Sequence, residues 1–173
     1  MGLDMFLHRR IFVWSEDRKN LKIQLAKTPI KGEKVDYIVE EAGYWRKANA
    51  IHKWFVDNVQ KGNDNCGEYY VDENQMLELL VTIKKVIEAS ELVDGDVVNG
   101  YSFKDGKKTP IIGKGKTIKD PTVAQTLLPT TEGFFFGGTE YDQYYIDDLR
   151  QTQQILEECL KDKRGDYYYS SSW

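Results

Sequence analysis

The chain has 173 residues, 40% hydrophobic and 30% charged, enough for one domain with its own core. A formal net charge of −4 argues against general duplex-DNA binding, and the apolar runs are far too short for a membrane span. Two cysteines, Cys66 and Cys159, and no secretory apolar stretch after Met1 fit reduced thiols in a cytoplasmic protein.

Leu3, Met5 and Leu7 alternate with polar neighbours and lead into the extended run Ile11 to Trp14, which reads as a strand. After a polar turn from Ser15 to Asn20, Leu21, Ile23 and Leu25 alternate again, so the first thirty residues read as one hairpin. Val35 to Val39 is a shorter strand candidate. A helix is expected from about Gly43 to Gln60, with Tyr44, Ala48, Ile51, Phe55 and Val59 on one stripe at a 3.6-residue period. A short strand follows at Glu68 to Val71. Asp72, with Gln75 three residues on, predicts a capping box opening a second helix over Glu73 to Ala89.

The apolar pattern dissolves between Glu91 and Asp120, where an inserted basic loop or a hairpin around Asp105-Gly106 is expected. Gly133 to Gly138, with Phe134, Phe135 and Phe136, reads as a glycine-bounded aromatic strand. Thr139 then caps a third helix, about Glu140 to Asp162, with Tyr141, Tyr145, Leu149, Leu156 and Cys159 inward. Asp166 to Ser172 predicts an edge strand. The sum is an α+β fold: a single domain, mostly antiparallel sheet of short strands packed with about three helices.

The helix expected at Gly43 holds the densest set of candidate binding residues: Trp45, Arg46, Lys47, Asn49, His52 and Trp54. Helical spacing puts Trp45, Asn49, His52 and Val56 on one ridge at the margin of the core, where an imidazole can titrate near neutrality. These groups serve either a ligand surface or plain packing. The Gly133 to Tyr141 segment is the second candidate, through Phe135, Thr139 and Tyr141, because free amides at a helix start can hold an anion.

Six lysines between Lys104 and Lys119, against Asp105 alone, make a local basic stretch. Within it Gly113-Lys114-Gly115-Lys116-Thr117 is not a P-loop, since Pro110 stands where that motif needs glycine. No histidine or cysteine spacing suits zinc, and no acidic loop has the ligand spacing of a calcium-binding EF-hand, so no metal or cofactor is expected. No catalytic constellation is recognisable.

The start Met1-Gly-Leu-Asp-Met, the run Tyr44-Trp-Arg-Lys-Ala-Asn-Ala-Ile-His-Lys-Trp-Phe-Val56, and Leu128-Pro-Thr with Gly133-Phe-Phe-Phe-Gly137 before Tyr141-Asp142 resemble a family of small, uncharacterised proteins of phages and prophages, mostly of low-GC Gram-positive bacteria. The resemblance implies a non-enzymatic accessory protein in the host cytoplasm. Such a protein would counter host defence by binding a host protein or sequestering a nucleotide-like ligand. Two alternatives stay open: an enzyme on a nucleotide or nucleic-acid substrate with His52 as general acid/base, and a homo-oligomer whose aromatic surface is the interface.

Overall fold

The computed structural model describes residues 2–104 and 107–173, in the order β1 (Asp4–Phe12), α1 (Ser15–Arg18), β2 (Lys22–Leu25), β3 (Thr28–Lys31), β4 (Tyr37–Arg46), α2 (Asn49–Asn58), β5 (Tyr69–Val71), α3 (Glu73–Ala89), β6 (Leu92–Lys104), β7 (Lys107–Ile118), α4 (Thr122–Leu127), α5 (Gln143–Lys161) and β8 (Asp166–Ser172). It is an α+β fold. A four-stranded antiparallel sheet, order β4-β1-β8-β5, carries the core, and two separate two-stranded ribbons, β2-β3 and β6-β7, extend from it. Among the described residues no helix is long and apolar enough to cross a membrane.

Period-2 alternation decides the faces of the sheet. Leu3, Met5, Leu7, Trp45, Tyr167 and Tyr169 point inward and meet Ile51 and Phe55 of α2, Leu79 and Ile83 of α3, and Leu149 and Leu156 of α5. Phe55 and Tyr169 stack with ring centroids 4.0 Å apart. On the opposite, open face lie Phe6, His8, Tyr44, Tyr70 and Tyr168, with the Arg10 guanidinium 4.3 Å above the Tyr168 ring. The capping box of α3 forms as its spacing dictates: Asp72 accepts from the Gln75 amide at 2.8 Å, and Gln75 Oε1 accepts from the Asp72 amide at 3.0 Å.

Five elements differ from the expectations. β1 pairs with β4 and β8, while β2 pairs with β3, so the first thirty residues are not one hairpin. The helix expected from Gly43 starts at Asn49, and Gly43 to Arg46 is the end of a ten-residue β4. There Gly43 and Trp45 are buried while Tyr44 and Arg46 are exposed, an alternation that only a strand delivers. A Cβ on Gly43 would fall 2.7 Å from the Ile155 side chain, so glycine lets α5 lie against this strand. Lys47, at φ 63°, turns the chain from strand to helix.

Gly133 to Gly138 is a turn rather than a strand, with the Phe136 amide bonded to the Gly133 carbonyl at 3.2 Å and Phe134 88% exposed. The third long helix starts at Gln143, capped by Asp142 and not by Thr139, because Asp142 Oδ1 accepts the amides of Tyr144 and Tyr145. β8 is an inner strand and not an edge, since Tyr167 and Tyr169 are wanted in the core between β1 and β5.

The segment after Glu91 is the long ribbon β6-β7; the turn expected at Asp105-Gly106 lies outside the described residues. Opposite Pro110, which has no amide to donate, the register shifts between Val98 and Tyr101 and Asn99-Gly100 bulges. The basic stretch is partly neutralised by the neighbouring strand and its entry: Lys114 pairs with Asp96, Lys116 with Asp94, and Lys119 with Glu91 at 2.9 Å.

Candidate functional site

The corner between β4 and α2 builds one wall of a cleft of about 460 Å³. Arg46, Lys47, Ala48, Asn49, Ala50 and Ile51 form that wall. The β6 bulge (Val98 to Tyr101) and the start of α5 (Asp142 to Leu149) form the others, with Thr130, Gly137, Gly138 and Glu140 between.

Asn49 joins these parts. Its side-chain amide donates to the carbonyls of Phe136 at 3.0 Å and Gly138 at 2.6 Å, and its Oδ1 accepts the Thr131 amide at 3.1 Å. One buried side chain thereby fixes three points of a loop that has no regular structure of its own. The Leu3 amide adds a bond to the Phe135 carbonyl at 3.0 Å, and the Lys47 amide donates to Leu3 at 2.8 Å.

The α2 wall is cationic. Ala48 sits at the cap position with no side-chain acceptor to offer, whereas α3 and α5 are capped by aspartates. The amides of Ala50 and Ile51 find no acceptor among the described residues, leaving the positive end of α2 unanswered. Arg46 and Lys47 flank it; both are exposed, and among the described residues the one carboxylate within 4.0 Å of the Arg46 guanidinium is Asp4. Lys47 holds a left-handed backbone that costs a non-glycine residue about 1–3 kcal/mol.

The α5 wall is acidic. Burial pushes the Asp148 carboxyl up to about 7, with the charges of Asp147 and Asp142 adding to it. Burial also raises Asp142, against the lowering effect of the two amides it caps. Glu140 accepts from the Tyr101 hydroxyl at 3.1 Å, and Tyr144 donates to Asn99 Oδ1 at 2.9 Å, so the ribbon is tied to α5 across the mouth. Among the described residues no cluster of histidine, cysteine and carboxylates is arranged to hold a metal ion.

Of the residues singled out from the sequence, Arg46, Lys47 and Asn49 come together in the cleft. Trp45, His52 and Trp54 are buried in the core. The Trp45 indole donates to Thr152 Oγ1 at 2.9 Å. His52 Nε2 lies 3.0 Å from Asp64 Oδ2 and Nδ1 lies 2.8 Å from the Tyr169 hydroxyl. Because a carboxylate only accepts, Nε2 donates to Asp64. Phe135, Thr139 and Tyr141 belong to the loop behind the cleft: Thr139 accepts from the Thr130 hydroxyl, and Tyr141 Oη accepts the Thr130 amide.

The residues that sequence reasoning missed are Asp142, Asp148, Glu140, Asn99 and Tyr101. Carboxylates carry no recognisable pattern singly, and their neighbours arrive from a ribbon some forty residues earlier in the chain. Compared with family models, curated proteins and solved structures, the chain finds no match.

Proposed function

We infer that the protein is a non-enzymatic binding protein whose cleft captures a small, nucleotide-like ligand by an anionic group. The observation that carries this reading is the uncapped start of α2, where two amides without an acceptor among the described residues line the same cleft as Arg46 and Lys47. A phosphate matches that end in charge and in hydrogen-bonding capacity. On the opposite wall, Asp148 and Glu140 can accept hydrogen bonds from an amine or hydroxyl. A cleft of about 460 Å³ is of the size that takes a mononucleotide.

The resemblance to phage-encoded proteins motivates a role in the host cytoplasm, where holding such a ligand, or a host protein that presents one, would blunt a defence response. Calorimetry with a panel of ribonucleoside mono- and triphosphates and inorganic phosphate tests the reading. Stoichiometric capture without conversion is expected, weakened at least about tenfold by Arg46→Ala. No binding across the panel, or indifference to Arg46→Ala, would remove the assignment.

A second reading, an enzyme on a nucleotide substrate, is favoured by one observation: a carboxyl brought to about 7 in a cleft suits general acid/base work. In that reading Asp148 takes the role first considered for His52. Product released on incubation and abolished by Asp148→Asn would decide for catalysis.

A further inference from the structure

At the far end of β4 from the cleft, about 30 Å along the strand at its usual rise, the surface has a different character. Phe12, Trp14 and Tyr37 are exposed, Trp14 by 67%, with ring centroids 5.0 Å apart for Phe12 and Trp14 and 5.3 Å for Phe12 and Tyr37. The Arg18 guanidinium lies 5.7 Å from the Phe12 ring centre and pairs with Asp36. These rings continue the aromatic open face of the sheet, since Phe12 pairs directly with Tyr37 on that side.

Beside them stands the β2-β3 ribbon. From Arg18 to Lys34 the chain has six cations and one acid, Glu33, in a protein that is acidic as a whole. Lys19, Lys22, Lys27, Lys31 and Lys34 are all exposed and have no ion-pair partner among the described residues. Lys22 and Lys31 face each other directly across the ribbon. Like charges in that position are destabilising, and a lone two-stranded ribbon is marginal to begin with. An unrelieved lysine pair on such an element is accounted for by a counter-charge brought from outside.

Charge and rings together select the partner. Lysine is depleted in protein–protein interfaces, whereas lysines beside exposed aromatic rings are the makings of a single-strand platform, because every base offers a π face. We propose that the β2-β3 ribbon and the Phe12–Trp14–Tyr37 cluster bind single-stranded nucleic acid, phosphates on Lys22, Lys27 and Lys31 and bases on Trp14 and Tyr37. The open sheet face extends the track. Its acids are in part held by arginines, Glu68 by Arg10 and Asp4 by Arg46 at 4.0 Å, so the hairpin remains the zone that attracts anions. This surface is separate from the cleft and does not depend on its ligand.

Fluorescence anisotropy with a labelled 20-nucleotide oligo(dT), the matching duplex and polyglutamate tests the proposal. The single strand is expected to bind in preference to both. Log affinity should fall with log salt at a slope of about −2 to −3.5, as three to five phosphate contacts require. The double variant Lys22→Glu/Lys31→Glu should weaken binding at least about tenfold and Trp14→Ala about fivefold or more, with thermal midpoints near that of the parent because these side chains are exposed. Absence of oligo(dT) binding at low salt, or binding that neither variant alters, would overturn the proposal. A preference for polyglutamate would overturn it too, by assigning the surface to an acidic protein partner.

Discussion

The side chain of Asn49, at the first turn of α2, donates to the carbonyl of Gly138 at 2.6 Å across 89 residues of chain. With its bonds to Phe136 and Thr131 this makes one amide the anchor of the cleft floor. Replacing it by alanine leaves the part-buried carbonyls of Phe136 and Gly138 and the Thr131 amide without this partner, each costing up to about 1–3 kcal/mol where water does not replace it. Asn49→Ala should therefore lower stability by about 2–4 kcal/mol in urea unfolding, and amide hydrogen exchange at residues 131–138 should accelerate. Unchanged exchange there would mean that the loop holds itself.

Lys47 combines a strained backbone with a cleft-facing position, and glycine separates the two effects. Glycine adopts φ near +60° without steric penalty, so Lys47→Gly should raise stability by up to about 1 kcal/mol. The same change removes a cation from the α2 wall and should weaken nucleotide binding about three- to tenfold in calorimetry, an energetic effect of about 1 kcal/mol. A variant less stable than the parent would show that the lysine side chain stabilises its own conformation.

These positions also show where the sequence is legible. The α3 capping box, the β1 alternation and the core positions of α5 follow from local chemistry, so they read directly from the residues. The Gly43 segment does not, because a helical stripe and a strand alternation overlap there. Tyr44, Ala48, Ile51 and Phe55 satisfy a 3.6 period, yet pairing of Trp45 with Met5 and contact of Gly43 with Ile155 decide for strand up to Arg46. Tertiary contacts with residues 40 and 112 positions away override the local signal. The cationic half of the cleft was visible as Arg46, Lys47 and Asn49. The acidic half was not, since burial gives Asp148 its character and no pattern in the sequence states burial for a lone carboxylate.

Asp148 makes stability depend on pH in an unusual sense. Its folded carboxyl titrates near 7 while the unfolded chain titrates at the ordinary 3.8, so the folded state holds the extra proton between those values. Stability should then fall as pH rises from about 4 to about 7, the reverse of a salt-bridged aspartate. Asp148→Asn should flatten this slope and raise stability at pH 8 by about 1–3 kcal/mol. Thermal melts across that range check it; an unchanged slope in the variant would assign the dependence to another group. Capture of an anion should weaken as pH rises through about 7, where the folded Asp148 gains its charge.

His52 is the residue on which the binding and core readings differ most. Its two nitrogens are occupied by Asp64 and Tyr169, and Asp64 also accepts the Trp173 indole N–H at 3.1 Å, so His52 helps fasten the C-terminal strand to α2. The Gln amide can stand in for Nε2 as a donor to Asp64 but has no group at the position of Nδ1, which leaves the buried Tyr169 hydroxyl without its ring-nitrogen partner. His52→Gln should cost about 1–3 kcal/mol in urea unfolding and leave nucleotide affinity at the cleft within twofold. Loss of binding or turnover with stability intact would return His52 to the functional site.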